Sequence, residues 1–409
     1  MKELICIKKA GGKNSVTINL PSSKSITNRA YIMNALSGGA INIINASKAE
    51  DSETLKSLLT SEVSKFDVGH AGTAMRFLTA LFSITKGERI LTGSDRMKQR
   101  PIKDLAEALI ALGANIKYLE KEGYPPLKIN GAHISGGKIN IDASVSSQFI
   151  SAIMLIAPYL KNGLTINLEK EKISIPYIEM TCEMIKKSGA KAMKKGNTII
   201  IEPGKYRPFE LIIESDWSAA SYWYSYVALS ENSEIILKGL STKSLQGDVI
   251  VHEIFEKLGV ETVQIKEDII LKKSRNKNPE EFNFNFSDCP DIAQTVAVSM
   301  AALAIKGTLS GLKSLRIKET DRIEATCAEL KKFGVQAISG PDFIQIPAGK
   351  ICKPAVAIET YEDHRMAMAF APFAMVIGEF KLKNPGVVKK SYPDFWKDME
   401  SAGMEITMH

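Results

Sequence analysis

The 409-residue chain has no GxxxxGK[ST] loop, no GxGxxG turn after a strand and no GxSxG elbow. A P-loop nucleotide site, a Rossmann dinucleotide site and a hydrolase nucleophile of that kind are therefore not expected. Cysteine is scarce and scattered (Cys6, Cys182, Cys289, Cys327, Cys352), with no CxxC pair. That pattern reads as reduced thiols, mostly packed in the core. Five histidines (His70, His133, His252, His364, His409) show no metal-ligand spacing, so no structural zinc is expected. The longest apolar stretch, around Met366 to Ile377, is well short of a membrane span. The opening Met1-Lys2-Glu3-Leu4 lacks a signal peptide's basic-then-apolar layout, so a cytoplasmic location is expected. No basic stripe with interleaved aromatics is present, which leaves nucleic acid a weak hypothesis.

The chain does have the ordinary proportions of a globular protein, 44% hydrophobic and 24% charged, and a length that predicts two or more domains. Net charge is +7, much of it in lysine pairs near helix ends (Lys186-Lys187, Lys331-Lys332) and at Lys194-Lys195. Cations there suit the helix dipole, and the resulting modest positive field favours small anionic substrates.

One arrangement is repeated six times. Apolar helical runs end near Gly39, Gly87, Gly163, Asn232, Gly307 and Gly378. Charged, amphipathic runs end at Gly113, Gly189, Gly259, Gly334 and Gly403, spaced 76, 70, 75 and 69 residues apart. The first repeat is shorter and lacks the second glycine. Such periodicity predicts an array of supersecondary units, each reading helix, strand, helix, hairpin. In the second repeat the expected elements are a helix over 73–85, a strand over 89–92, a helix starting at Pro101, and strands over 115–119 and 127–130. Hairpin turns are expected at 195–197, 266–268 and 339–342.

The first helix of every repeat opens on a polar phrase: Ser22-Ser23-Lys24-Ser25, Gly69-His70-Ala71-Gly72-Thr73, Ser146-Ser147-Gln148, Asp216-Trp217-Ser218, Asp288-Cys289-Pro290-Asp291 and Asp363-His364-Arg365. Ordinary capping accounts for a single Ser or Asp. It does not account for Lys, Gln, Arg or Gly clusters leading into an apolar helix. Helix starts offer unpaired N–H groups and a positive dipole end, so several together would hold phosphate or carboxylate. Further polar residues precede the second helices: Arg100 before Pro101, Ser174 before Pro176-Tyr177, Lys318-Glu319-Thr320 before Asp321-Arg322, and Lys390-Ser391 before Pro393. Arg316 to Arg322 packs five charges into seven residues, which fits a solvated helix start as well as a polarising site with a carboxylate able to move protons.

Together these phrases resemble the 5-enolpyruvylshikimate-3-phosphate synthase family across the whole chain. The resemblance rests on Ser23-Lys24-Ser25 with Asn28-Arg29, Ala71 to Arg76, Arg100-Pro101-Ile102, Ser146 to Phe149, Pro176-Tyr177-Ile178, Pro290-Asp291, Lys318 to Arg322, Asp363 to Met368 and Lys390 to Asp394, in that order. It implies an α/β fold of two inside-out α/β barrels, with six βαβαββ-type repeats, three per domain. One lobe would span 21–214 and the other 1–20 plus 215–409, with crossings near 20–21 and 214–215. It implies a transferase of aromatic amino acid biosynthesis, joining phosphoenolpyruvate to the 5-hydroxyl of shikimate 3-phosphate with release of phosphate. No cofactor is implied, the partners are those two small molecules, and a monomer is expected.

By the same resemblance, Lys24, Ser25, Arg29, Ser146, Ser147, Gln148, Ser174, Asp291 and Lys318 would hold shikimate 3-phosphate. Lys24, Gly72, Arg100, Gln148, Arg322, Arg365 and Lys390 would hold phosphoenolpyruvate. Asp291 is the candidate base for the hydroxyl and Glu319 the candidate for proton transfer at carbon, with Lys24, Lys390 and His364 assisting. The chain departs from the family at His70 (commonly Asn), Phe77 (commonly Pro) and Ser314 (a familiar Asn). The sister transferase that acts on UDP-N-acetylglucosamine usually carries a reactive cysteine in a loop corresponding to Gly93–Arg100, and this chain has none there.

Overall fold

A computed structural model describes residues 3–11, 15–142, 146–169 and 174–408. Met1, Lys2 and His409, named above, lie outside them. The chain divides into two compact lobes, one of residues 22–213 and one of 1–21 with 214–409.

Among the described residues each lobe holds three sheets, and four of these six share one topology. In the sheet built on Lys65–Asp67, that strand runs parallel to Gly87–Thr92. Gly87–Thr92 pairs antiparallel with Leu127–Gly131, and this in turn with Asn115–Tyr118. The same parallel–antiparallel–antiparallel order recurs in three sheets. These are built on Gly137–Asp142 with Leu164–Glu169, Ser15–Ile18 with Glu234–Lys238, and Phe284–Asn285 with Gly307–Ser310. A fifth sheet completes the pattern with a distant strand: Leu4–Lys9 lies between Glu379–Lys383 and Met404–Met408, antiparallel to both. The sixth keeps only the parallel pair, Ile41–Ile44 with Phe209–Ile212. It belongs to the repeat that is short in sequence.

The glycines that mark the repeats have a backbone reason. Gly113, Gly189, Gly259, Gly334 and Gly403 all sit at φ between 82° and 104° just past a helix end. Only glycine adopts that conformation without a Cβ penalty, so each ends its helix and turns the chain toward the next strand.

The polar-fronted helices form the centre of each lobe. In residues 22–213, Lys24–Leu36, Gly72–Ile84 and Ser147–Ile156 all pack on one another. In the other lobe Trp217–Leu229, Ala293–Ala302 and His364–Phe370 do the same. Twelve of the thirteen residues of Trp217–Leu229 are buried, so this helix has no water-facing side and belongs at the centre of its lobe. Buried hydroxyls inside such helices donate back one turn, as Thr79 does to the Met75 carbonyl (2.7 Å) and Ser83 to Thr79 (2.7 Å). The charged second helices, including Lys103–Ala111, Ile175–Lys187 and Arg322–Lys332, are amphipathic and show a polar face to solvent. No helix among the described residues is long and apolar enough to cross a membrane.

Pro101 is not the first helical residue. The helix starts at Lys103, after a short extra helix at Asp95–Lys98. The Ile102 N–H is used by the Gly123 carbonyl (2.9 Å), and the Pro101 carbonyl lies 3.5 Å from an Arg76 guanidinium nitrogen. These non-helical hydrogen bonds delay the helix by two residues.

Candidate functional site

In the lobe of residues 22–213 the helix starts carry buried cations. Ser23 caps Lys24–Leu36, its hydroxyl accepting from the Ile26 N–H. This sets Lys24 at the first turn, where its Nζ reaches Asp51 Oδ2 at 2.8 Å. One turn on, Arg29 is only 2% exposed. It donates to Thr181 Oγ1 (2.7 Å), Ser151 Oγ (3.0 Å) and the carbonyls of Ser25 (2.9 Å) and Tyr177 (3.3 Å). It also faces the rings of Phe77 and Tyr177. Among the described residues all its hydrogen-bond partners are neutral, and burial pulls its pKa down to about 10 against the opposing influence of Tyr177. A guanidinium so placed is unfavourable without a negative charge beside it.

The same holds at the start of Gly72–Ile84. Arg100 is buried, and its Nε has no hydrogen-bond partner among the described residues. Its terminal nitrogens press on Gly72: a Cβ at that position would lie 2.6 and 3.0 Å from them, and 3.0 Å from Arg76 Nη1. Arg76 is held by the Gly72 carbonyl (2.9 Å) and lies over Phe149. Beside this cradle, the Ser94 hydroxyl lies 3.1 Å from His70 Nδ1. Gln148 Nε2 donates to Thr73 Oγ1 (3.3 Å), joining the start of Ser147–Ile156 to that of Gly72–Ile84. Ser146 caps the former by accepting from the Gln148 N–H. Ser174 opens Ile175–Lys187 in the left-handed region at φ 55°, strain for a residue with a side chain.

In the other lobe the sequence-predicted residues form one network of ion pairs. Arg322, 2% exposed, binds Asp363 (Nε to Oδ2, 2.7 Å), Glu319 (2.9 Å) and Asp291 (3.1 Å). Glu319 also accepts from Lys390 Nζ at 2.9 Å. Asp291, on the turn Pro290–Ile292, meets Arg365 (3.0 Å) and Lys318 (3.6 Å) as well. Burial pushes the Asp291 carboxyl up, but Arg365, Lys318 and Arg322 outweigh it and hold the group well below the usual carboxylate range. Asp363 caps His364–Phe370 through the Arg365 N–H (2.8 Å) and so aims Arg365, which also reaches Tyr222 and Ser218. His364 is buried, its Nδ1 3.9 Å from Asp363.

The relatives of the chain are consistent in kind. The profile of EPSP synthase (3-phosphoshikimate 1-carboxyvinyltransferase) matches residues 52–399. The 3-phosphoshikimate 1-carboxyvinyltransferase of Bacteroides fragilis (strain YCH46) is 45% identical over 393 residues, covering 95% of this chain and 96% of that one. The chain belongs to the EPSP synthase family. The enzyme of the same name from Aliivibrio salmonicida is 35% identical over 415 residues, covering 94% and 96%. The EPSP synthase of Acinetobacter baumannii superposes with a TM-score of 0.80 over 99% of this chain and 100% of that one, at 20% identity, which shows the shared fold.

Against that family's pattern, the charged run Arg316 to Arg322 divides in two. Lys318, Glu319 and Arg322 join the network, while Arg316 turns to Asp321, Glu324 and the Pro341 carbonyl on the surface. Ser314, where EPSP synthases commonly carry Asn, has a buried hydroxyl with no partner among the described residues. Sequence reasoning passed over Asp51, Arg76, Tyr222 and Asp248. Arg76 stood inside a quoted motif and could have been found as a buried cation on an apolar helix. The other three sit in stretches with no distinguishing pattern.

Proposed function

We infer that this chain transfers the enolpyruvyl group of phosphoenolpyruvate to the 5-hydroxyl of shikimate 3-phosphate, releasing inorganic phosphate. The reaction needs a grip for each of two anionic substrates. The observation that carries the reading is the pair of buried guanidiniums, Arg29 and Arg100, with no carboxylate partner among the described residues. Arg29, with Lys24, Ser25, Ser146, Ser147, Ser174 and Lys318, takes shikimate 3-phosphate. Arg100 over Gly72, with Lys24, Arg322, Arg365 and Lys390, takes phosphoenolpyruvate. Gln148, tied to Thr73, touches both.

The addition step forms a bond from the 5-oxygen to C2 of phosphoenolpyruvate as a proton reaches C3. The elimination step removes a C3 proton and breaks the C2–phosphate ester bond. Asp291 is the base for the hydroxyl. Held by three cations it is a weak base, and a general base works best with a pKa near the working pH. Anionic substrates drawing on Arg365, Arg322 and Lys318 relieve that hold, so basicity rises once the substrates are bound. Glu319 moves the proton at C3, with Lys390 at 2.9 Å on one oxygen and Arg322 on the other to carry the charge it exchanges. Lys24, Lys390 and His364 assist. The test is direct: incubate the protein with both substrates, measure phosphate release, and look for the new vinyl ether by NMR. Phosphate release without that vinyl ether would overturn the reading.

A further inference from the structure

Asp248 has no part in the mechanism above. It lies in the turn Gly247–Ile250, anchored by Gln246. The Gln246 side chain accepts from the Trp217 N–H (3.1 Å) and donates to the Ser215 carbonyl (2.8 Å) and Glu214 (3.0 Å). The carboxyl is 2% exposed. Its Oδ2 accepts the Ser218 hydroxyl, and its Oδ1 is buried with no hydrogen-bond partner among the described residues. Ser218 Oγ in turn accepts from Arg365 Nη2 at 3.5 Å, and that nitrogen lies 3.0 Å from Asp291 Oδ2. Asp248 therefore stands one hydroxyl away from the guanidinium assigned to phosphoenolpyruvate. The other titratable groups facing it are Asp291, Asp216 and the Cys289 thiol. A buried carboxyl oxygen without a donor is least costly when the group carries a proton. Burial first and then the Asp291 charge push Asp248 up to about 7, against the opposing pull of Arg365 and Ser218.

We propose that Asp248 is a positioning residue that sets how firmly Arg365 holds its anion, releasing the guanidinium to the ligand when protonated and drawing on it through Ser218 when ionised. This rests on the assignment of Arg365 to phosphoenolpyruvate. A bound anion adds negative charge nearby and raises the proton affinity of Asp248. Above neutral pH, binding then takes up a proton, and affinity falls tenfold for each unit of that rise.

The experiment compares KM for phosphoenolpyruvate from pH 6 to 8.5 in the parent and in Asp248→Asn, a neutral isostere that still accepts the Ser218 hydroxyl. Ionisation of the substrate itself is common to both proteins and leaves their ratio unchanged. Equal KM values are expected at pH 6, with the variant's about tenfold lower at pH 8.5. A ratio independent of pH means that Asp248 only supports the fold, and the proposal is wrong. A second measurement needs no variant and no turnover: ¹³C NMR of the protein labelled at aspartate side-chain carboxyls. One resonance should titrate near neutrality, with its midpoint rising when phosphoenolpyruvate is added. If no aspartate titrates between pH 5.5 and 8.5, the idea fails even in an active enzyme. A ligand-dependent midpoint in protein that makes no vinyl ether would uphold Asp248 and overturn the assigned reaction instead.

Discussion

Replacing Gly72 by alanine probes the cradle proposed for phosphoenolpyruvate with the least chemistry. The added Cβ would lie 2.6 Å from Arg100 Nη1 and 3.0 Å from both Arg100 Nη2 and Arg76 Nη1, against an ordinary contact of 3.4 Å or more. The Arg100 guanidinium must therefore withdraw by about 0.8 Å, and Arg76 by about half as much. Both obstacles are ends of flexible side chains, and Gly72 is not among the glycines at positive φ, so the backbone tolerates alanine. Gly72 is the first residue of its helix, where the interior preference for alanine is muted, so stability should change little. A charge-assisted hydrogen bond is worth about 1.5–3 kcal/mol, and stretching one by this much forfeits most of it. KM for phosphoenolpyruvate should thus rise by roughly 10- to 150-fold while the denaturation midpoint stays level. The assay is phosphate release at saturating shikimate 3-phosphate with phosphoenolpyruvate varied, beside guanidinium unfolding of the same preparation. A KM within twofold of the parent would refute the placement of phosphoenolpyruvate over Gly72. A rise confined to the KM of shikimate 3-phosphate would mean that the cradle holds the other substrate.

Arg29→Met should leave unfolding stability unchanged or higher, because it removes a buried charge whose partners among the described residues are all neutral, yet lower affinity for shikimate 3-phosphate by about two orders of magnitude; calorimetric titration and a thermal melt check both halves. Arg322→Met strands the buried Asp363 and weakens the hold on Glu319 and Asp291, and should cost about 3–5 kcal/mol in chemical denaturation, a loss under 1 kcal/mol being incompatible with the network. Asp291→Asn and Glu319→Gln should each lower kcat much more than they raise either KM, as expected of groups that exchange protons; near-normal turnover in either would remove that residue's role. The pH dependence of stability should carry two opposite slopes. Asp291, held low in the folded state, contributes stability above the unfolded carboxylate pKa of about 4 that is lost on acidification. Asp248, pushed up to about 7, contributes stability at low pH that is lost as pH rises toward neutrality, so Asp248→Asn should gain in melting temperature relative to the parent between pH 4 and 7.

The fold was legible because its punctuation is a backbone requirement. Glycines at φ above 80° cannot easily be replaced, so Gly113, Gly189, Gly259, Gly334 and Gly403 keep the repeat visible where side chains have diverged. The residues of the site were legible for a related reason, since Ser23, Ser146, Asp216 and Asp363 do cap their helices, and Ser23 and Asp363 place the cations Lys24 and Arg365 that follow. The pairing within the site was not. Arg316, on the preceding turn Lys313–Ile317, leaves the network while Arg322, the first residue of Arg322–Lys332, enters it, and charge alone does not distinguish the two. Asp248 was invisible because a lone aspartate after Gln-Gly is common in turns, and only its burial against Ser218 distinguishes it. Pro101 misled for a local reason, the prior claims of Gly123 and Arg76 on the backbone around it.

The buried cations differ in what pairs with them. Around Asp291 each cation has a carboxylate within ion-pair distance: Arg322 with Asp363, Lys390 with Glu319, Arg365 and Lys318 with Asp291. In such a network each carboxylate is held ionised by its cations, and it gains basicity only when a bound anion draws one of those cations away. Arg29 and Arg100 have no such match among the described residues. Buried without carboxylates, they oppose folding until an anion arrives, and their desolvation then strengthens the contact they make. On the proposed assignment Arg29 and Arg100 are the guanidiniums left for an incoming anion, while Asp291 and Glu319 take the proton-transfer roles and the cations that hold them also serve the substrates. Exchanging a carboxylate into the first set, as in Ser151→Asp beside Arg29, should stabilise the empty protein and abolish shikimate 3-phosphate binding together, since the same guanidinium cannot serve both.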